Sequence, residues 1–132
     1  MKTGTYRSII LAILFIIAFP LSGQVLPDKI SQAIRAGDAK GFSLFFNDNI
    51  ELVILDKEDI YSRQQAEMIV RDFFSTHRPT GFKLLHQGGK QATQYAIGSL
   101  ATSNGNFRIY FLMKYIDNKP FIHQLRITAE NE

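Results

Sequence analysis

The chain has 132 residues, no cysteine and a formal charge of +3. That length fits one domain with one core. The missing thiols exclude any disulfide and any lipid anchor attached through cysteine.

At the N-terminus Lys2 and Arg7 precede the apolar run Ile9–Leu21, "IILAILFIIAFPL". Its thirteen residues fall short of the roughly 20 that a bilayer-spanning helix needs. A basic start, a short apolar centre and the small-residue end "LSGQ" form the pattern of a secretory signal peptide over residues 1–23. Cleavage after Gly23 is expected, leaving Gln24 first; an uncleaved N-terminal anchor is the alternative. Losing 23 of 132 residues leaves 109, and losing Lys2 and Arg7 lowers the charge from +3 to +1. The expectation is a periplasmic or secreted domain over residues 24–132, free of the membrane after cleavage. A near-neutral exported domain argues against nucleic acid as partner.

In the mature chain "DKISQAIRAGD" reads as a short helix with Ile30, Ala33 and Ile34 on one stripe and Gly37 as its stop. Asp38 caps a second helix, "AKGFSLFF", whose Phe42, Phe45 and Phe46 turn inward. "NDN" (47–49) reads as a turn, "IELVIL" (50–55) as a strand, "DKED" (56–59) as a turn and "IY" (60–61) as a short strand. Ser62 and Gln65 have capping-box spacing at the head of "YSRQQAEMIVRDFF". Behind them Ala66, Ile69, Val70, Phe73 and Phe74 recur at three- and four-residue intervals, one apolar stripe of an amphipathic helix. Glu67 and Arg71 form a correctly ordered i,i+4 pair on another part of the wheel.

Four strands follow: "FKLLHQ" (82–87), "QATQYAIGSLATS" (91–103), "FRIYFLMKYI" (107–116) and "FIHQLRIT" (121–128). Their expected turns are "GGK", "NGN" and "DNKP", so the four should form an antiparallel meander. Helices followed by a long meander give an α+β fold with helices on one face of the sheet. This order of elements, with "AIRAGDAKGFSLFF", "IELVIL", "IYSRQQAEMIVRDFF" and "GNFRIYFLMKYI", resembles the nuclear transport factor 2-like superfamily, which includes ketosteroid isomerases and scytalone dehydratase. The likeness spans roughly residues 28–128 and is greatest to an uncharacterised exported bacterial branch of unknown function. It implies helices packed in the concave face of a strongly curled antiparallel sheet, a cone, with the stripe of the long helix closing one wall.

Strand alternation puts Phe82, Leu84 and His86 on one face of their strand, and Phe121, His123, Leu125 and Ile127 on one face of the last. The two histidines lie three strands apart, roughly 14 Å at the usual strand spacing, too far to share a metal. No metal and no cofactor are therefore expected. Phe73, His86, Tyr95 and His123 are the candidate lining residues of a cavity for a small apolar ligand. Catalysis in the resembled superfamily uses a carboxylate or histidine in the cone, with a tyrosine or protonated acid polarising the substrate oxygen. Here Asp72 reads as solvent-facing, and no phosphate loop, nucleophile elbow or zinc-protease motif occurs.

The strand at 107–116 is apolar on both faces, with Tyr110, Leu112 and Ile116 on the second. Leu85, Leu100 and Ile122 are expected beside them, forming a patch that a homodimer would cover. Lys83, Arg108, Lys114 and Arg126 are expected on that same face. These features point to a non-catalytic module that binds a small apolar ligand or a protein partner. A cofactor-free isomerase or dehydratase working in the cone is the alternative.

Overall fold

The computed structural model describes residues 26–130. The expected signal peptide and its cleavage point lie outside the described residues. Helix α1 (Asp28–Ala36) ends at Gly37, whose φ of 67° is left-handed; Gly37 N–H donates to the Ile34 carbonyl and Asp38 N–H to that of Ala33. This closure satisfies carbonyls that the helix end leaves open. The Asp38 carboxylate then accepts from Gly41 N–H at 2.9 Å and starts α2 (Ala39–Ser43). Phe46, expected inside that helix, instead opens strand β1 (Phe46–Ile54).

Strand β2 (Lys57–Ser62) delivers α3 (Arg63–Thr76). The capping box forms as read: Gln65 N–H donates to Ser62 Oγ at 3.2 Å, and Ser62 N–H to Gln65 Oε1 at 3.1 Å. Ala66, Val70, Phe73 and Phe74 are buried and Ile69 partly so. Glu67 pairs with Arg71 and also accepts from Ser43 Oγ at 3.2 Å, joining α3 to α2. Strands β3 (Pro79–Lys90), β4 (Thr93–Thr102), β5 (Gly105–Ile116) and β6 (Lys119–Ala129) complete the chain.

The six strands lie in the order β2-β1-β6-β5-β4-β3. Neighbours are antiparallel except β1 and β6, which are parallel. The expected meander is thus present, with the β1–β2 hairpin added beside its last strand. The edges β2 and β3 do not pair with each other, so the sheet is open, not the strongly curled cone of the resemblance.

Every hairpin turn is tighter than its sequence signal. "GGK" lies inside β3, and the chain reverses at Gln91–Ala92, so His86 pairs with Ile97. The β4–β5 turn is Ser103–Asn104, and the β5–β6 turn is Asp117–Asn118 with φ of 54° and 65°. Two consecutive positive φ values mark the two-residue turn whose twist matches a hairpin, and Asp and Asn tolerate it. The first hairpin turns at Leu55–Asp56, and "NDN" lies within β1 where its pairing is irregular.

Two further irregularities set the faces. β3 takes in an extra residue between Leu84 and His86, and β6 an extra residue between Ile122 and Gln124. Because side chains alternate with a period of two, each extra residue moves everything beyond it to the other face. Leu100 and Ile122, expected on the second face, pair with Phe107 and Met113 and are fully buried under the helices. There Phe42 meets Phe46 and Phe111 edge-on at 5.1 and 5.9 Å, filling the interior with rings. Gly98 lies beneath Phe82: a Cβ there would fall 2.4 Å from the ring.

Two substitutions test this helix placement in denaturant titrations. Ser62→Ala should cost about 1 kcal/mol by orphaning one amide. Phe73→Ala, at a position 5% exposed, should cost roughly 3–5 kcal/mol. Negligible losses from both would contradict it.

Candidate functional site

Following the strand pairs across the sheet gives two rows on the face away from the helices. One runs Glu58, Val53, Arg126, Tyr110, Ile97, His86; the other runs Ile60, Glu51, Gln124, Leu112, Tyr95, Gly88. Tyr95, Ile97, Tyr110 and Leu112 are half-buried, and the buried cluster under the helices contains none of them. Phe121, paired with Lys114, stands on the same face. Ile60 and Leu85 at the sheet margins are 67% and 46% exposed, more than the central side chains, whose flanks are covered by neighbouring strands.

His86 and Tyr95 meet on this outer face. The extra residue at Leu85 carries His86 away from Phe82 and Leu84, which stay on the inner face, so these three do not share one face as expected. Tyr95 Oη lies 3.0 Å from His86 Nε2. Gly88 is opposite Tyr95, and a Cβ there would fall 2.9 Å from that hydroxyl. A bare glycine therefore gives the ring room to lie along the sheet.

His123 is the extra residue of β6. On its other side β1 takes in residues 47–50 between the pairs Phe46–Ile122 and Glu51–Gln124. Arg63, the first residue of α3, holds this widened stretch, donating to the Phe46 carbonyl and the Asp48 carboxylate, both at 3.0 Å. His123 Nε2 is buried without a hydrogen-bond partner. Burial, and then the nearby Lys114 ammonium, lower the His123 pKa below its ordinary 6.5. A neutral ring is the expected state for such a group.

Phe73 lies elsewhere. Its ring stacks on His77 at 4.5 Å, and it lines an open cleft of about 190 Å³ with Ile54, Ile69 and Thr76. Of the four expected lining residues, then, the structure brings together only His86 and Tyr95. Asp72 is exposed at the rim of the Phe73 cleft. Ile97 and Phe121 are among the outer-face residues that sequence reasoning missed. For Phe121 the signal was the length of the turn: a two-residue turn at Asp117–Asn118 pairs Ile116 with Lys119 and so places Phe121 opposite Lys114.

Charge on the outer face is uneven. Lys83 and Lys90 lie on β3, while Glu51 and Glu58 lie on β1 and β2. Arg108 is paired with Glu130 at 2.8 Å, and Ser99 donates to the same carboxylate. These hydrogen bonds hold the Glu130 pKa below its usual value. No ion pair among the described residues involves Lys83, Lys90, Lys114 or Arg126.

The open sheet with helices on one face belongs to the nuclear transport factor 2-like and cystatin-like class of α+β folds. Residues 27–128 match the family described as domain of unknown function DUF4783, and the chain belongs to that family. A DUF4783 protein from Bacteroides ovatus is 34% identical, with 83% of this chain and 100% of that one covered and a TM-score of 0.77. A second, from Bacteroides uniformis, is 32% identical over 81% and 99% of the two chains, with a TM-score of 0.76. A cystatin-like domain from Nostoc punctiforme shares the fold at 13% identity, with 100% and 81% covered and a TM-score of 0.64. None of the curated proteins matches the chain.

The His123 environment has a consequence in acid. Its folded-state pKa lies below the unfolded value near 6.5, so the unfolded chain takes up the proton first. The stability this contributes is complete above pH 6.5 and is lost as pH falls through the lowered folded value. Urea titrations from pH 7.5 to 5 should show a smaller loss for His123→Gln than for the parent chain. Identical slopes would contradict the assignment.

Proposed function

We propose that this DUF4783 protein is an exported, non-catalytic binding module whose working surface is the outer face of the sheet, and that a second copy of the chain occupies it. The observation that carries the reading is the central strip Tyr95, Ile97, Tyr110 and Leu112, half-buried with no helix of the described residues over it. Contiguous apolar patches beyond a few hundred Å² mark interaction sites, and two-fold pairing of identical patches is the commonest way to cover one.

The edges of the sheet support the same reading by being poor at association. On β3 the Arg35 guanidinium donates to the Phe82 carbonyl at 3.3 Å, and the irregularity at Leu85 interrupts the strand. On β2 the Asp59 carboxylate accepts from Ile60 N–H at 2.8 Å. Charged groups and bulges of this kind discourage pairing with another chain edge to edge. The face remains as the surface for contact.

Light scattering on the mature domain at micromolar concentration should return about twice the chain mass, and Leu112→Glu should return it once. A parent chain that is monomeric there, unchanged by Leu112→Glu, would defeat the dimer. Export has its own test: the product in the periplasm or medium should begin near Gln24. Full-length chain held in the membrane fraction would contradict it.

A second reading rests on the Phe73 cleft. Its walls combine Ile54, Ile69 and Phe73 with Asp56, Lys57, Asp72, Thr76 and His77, and its 190 Å³ would admit only a small ligand with an apolar part.

A further inference from the structure

We infer that two copies of the outer face meet about a two-fold axis running along the strands, not across them. This rests on the dimer reading above and adds which residues touch. In the aligned class of face-to-face packing, the strands of the two sheets keep within about 30° of one another. For an aligned pair the axis can therefore lie along the strands or at right angles to them.

The two choices bring different charges together. An axis across the strands sets each strand over its own copy and exchanges the two ends of the face. Lys83, in the row of Ser99 and Arg108, then faces Lys90, in the row of Thr93 and Lys114, and does so twice. Like charges opposed in an interface disfavour it. An axis along the strands, between β6 and β5, sets β2 over β3, β1 over β4, and β6 over β5.

Each row then meets its own reverse. Glu58 of one copy faces His86 of the other, Glu51 faces Tyr95, and Arg126 faces Tyr110. The first is a carboxylate against an imidazole already hydrogen-bonded to Tyr95. The second offers the Tyr95 hydroxyl proton a carboxylate acceptor, with Oη then accepting from His86 Nε2–H. The third sets an unpaired guanidinium over an aromatic ring, a favourable arrangement when water is excluded. Between them Ile97 lies over Val53, which its own neighbours already cover, and Leu112 lies over Gln124. Lys83 falls toward the Leu55–Asp56 turn of the partner instead of toward another lysine. The acidic margin formed by β1 and β2 and the basic margin formed by β3 thus become complementary halves of one self-matching surface.

The absence of cysteine makes a direct test simple. Glu58→Cys, His86→Cys, Lys83→Cys and Lys90→Cys all alter exposed positions on strands. Equimolar mixtures of single variants are treated with a short bis-maleimide after subunit exchange. With the axis along the strands, Glu58→Cys mixed with His86→Cys gives a covalent dimer at least several times faster than Lys83→Cys mixed with Lys90→Cys. With the axis across them, residues 58 and 86 of opposing copies stay about 24 Å apart, five strand spacings, and the ranking reverses. A reversed ranking, or a dimer by light scattering that neither mixture captures, overturns the inference and leaves the dimer standing. A parent chain that is monomeric at the same concentration overturns the dimer reading itself.

Discussion

Between the pairs Met113–Ile122 and Leu112–Gln124 the last strand takes in one residue more than β5 does, and that residue is His123. The strand on its other side is irregular at the same level, with residues 47–50 of β1 set against this single residue. The organisation of both faces depends on this point. Without the extra residue, the register near the turn would put Leu125 and Ile127 on the solvent side and Gln124 and Arg126 in the core. With it, Ile122, Leu125 and Ile127 all point under the helices, and Phe121, Gln124 and Arg126 all point away. A buried imidazole nitrogen without a partner is a local cost of the arrangement. The burial of three large aliphatic side chains on the inner face offsets it.

The long helix is fixed to the same region from the other side. Arg63 begins α3 and donates to the carbonyl of Phe46 and the carboxylate of Asp48, at the start of the widened part of β1. Ser62 immediately before it caps the helix. The direction of α3 is therefore set where the sheet is least regular. From there its stripe runs over Phe42, Phe107 and the rest of the inner face. Rings occupy that interior, and among the described residues the helices lie on this one face of the sheet.

The helices were legible because their signals are local. A capping box and a three-four spacing involve residues within one or two turns of each other, and both formed at Ser62, Gln65 and the Ala66–Phe74 stripe. Strand positions were legible for the same reason. Register was not, because it depends on the sum of two choices made far apart in the chain. Gly88 and Gly89 resemble a turn, yet they sit inside β3, where Gly88 accommodates the Tyr95 ring. With the turn at Gln91–Ala92 instead of at "GGK", His86 slides along its partner strand to pair with Ile97. The extra residues at Leu85 and His123 have no local signature at all. They appear only when neighbouring strands must keep apolar residues on one face, and so the expected cavity of Phe73, His86, Tyr95 and His123 dispersed over the molecule.

The claim at the centre is that the face defined by these two irregularities is the contact surface of the protein. Hydroxyl-radical footprinting at low and high protein concentration tests it most directly, residue by residue. Tyr95, Tyr110 and Leu112 should become several times less reactive at high concentration, while Leu44 on the helical side and Met68 on α3 keep their reactivity. Protection confined to Leu44 and Met68, with the three outer-face residues unchanged, would contradict it.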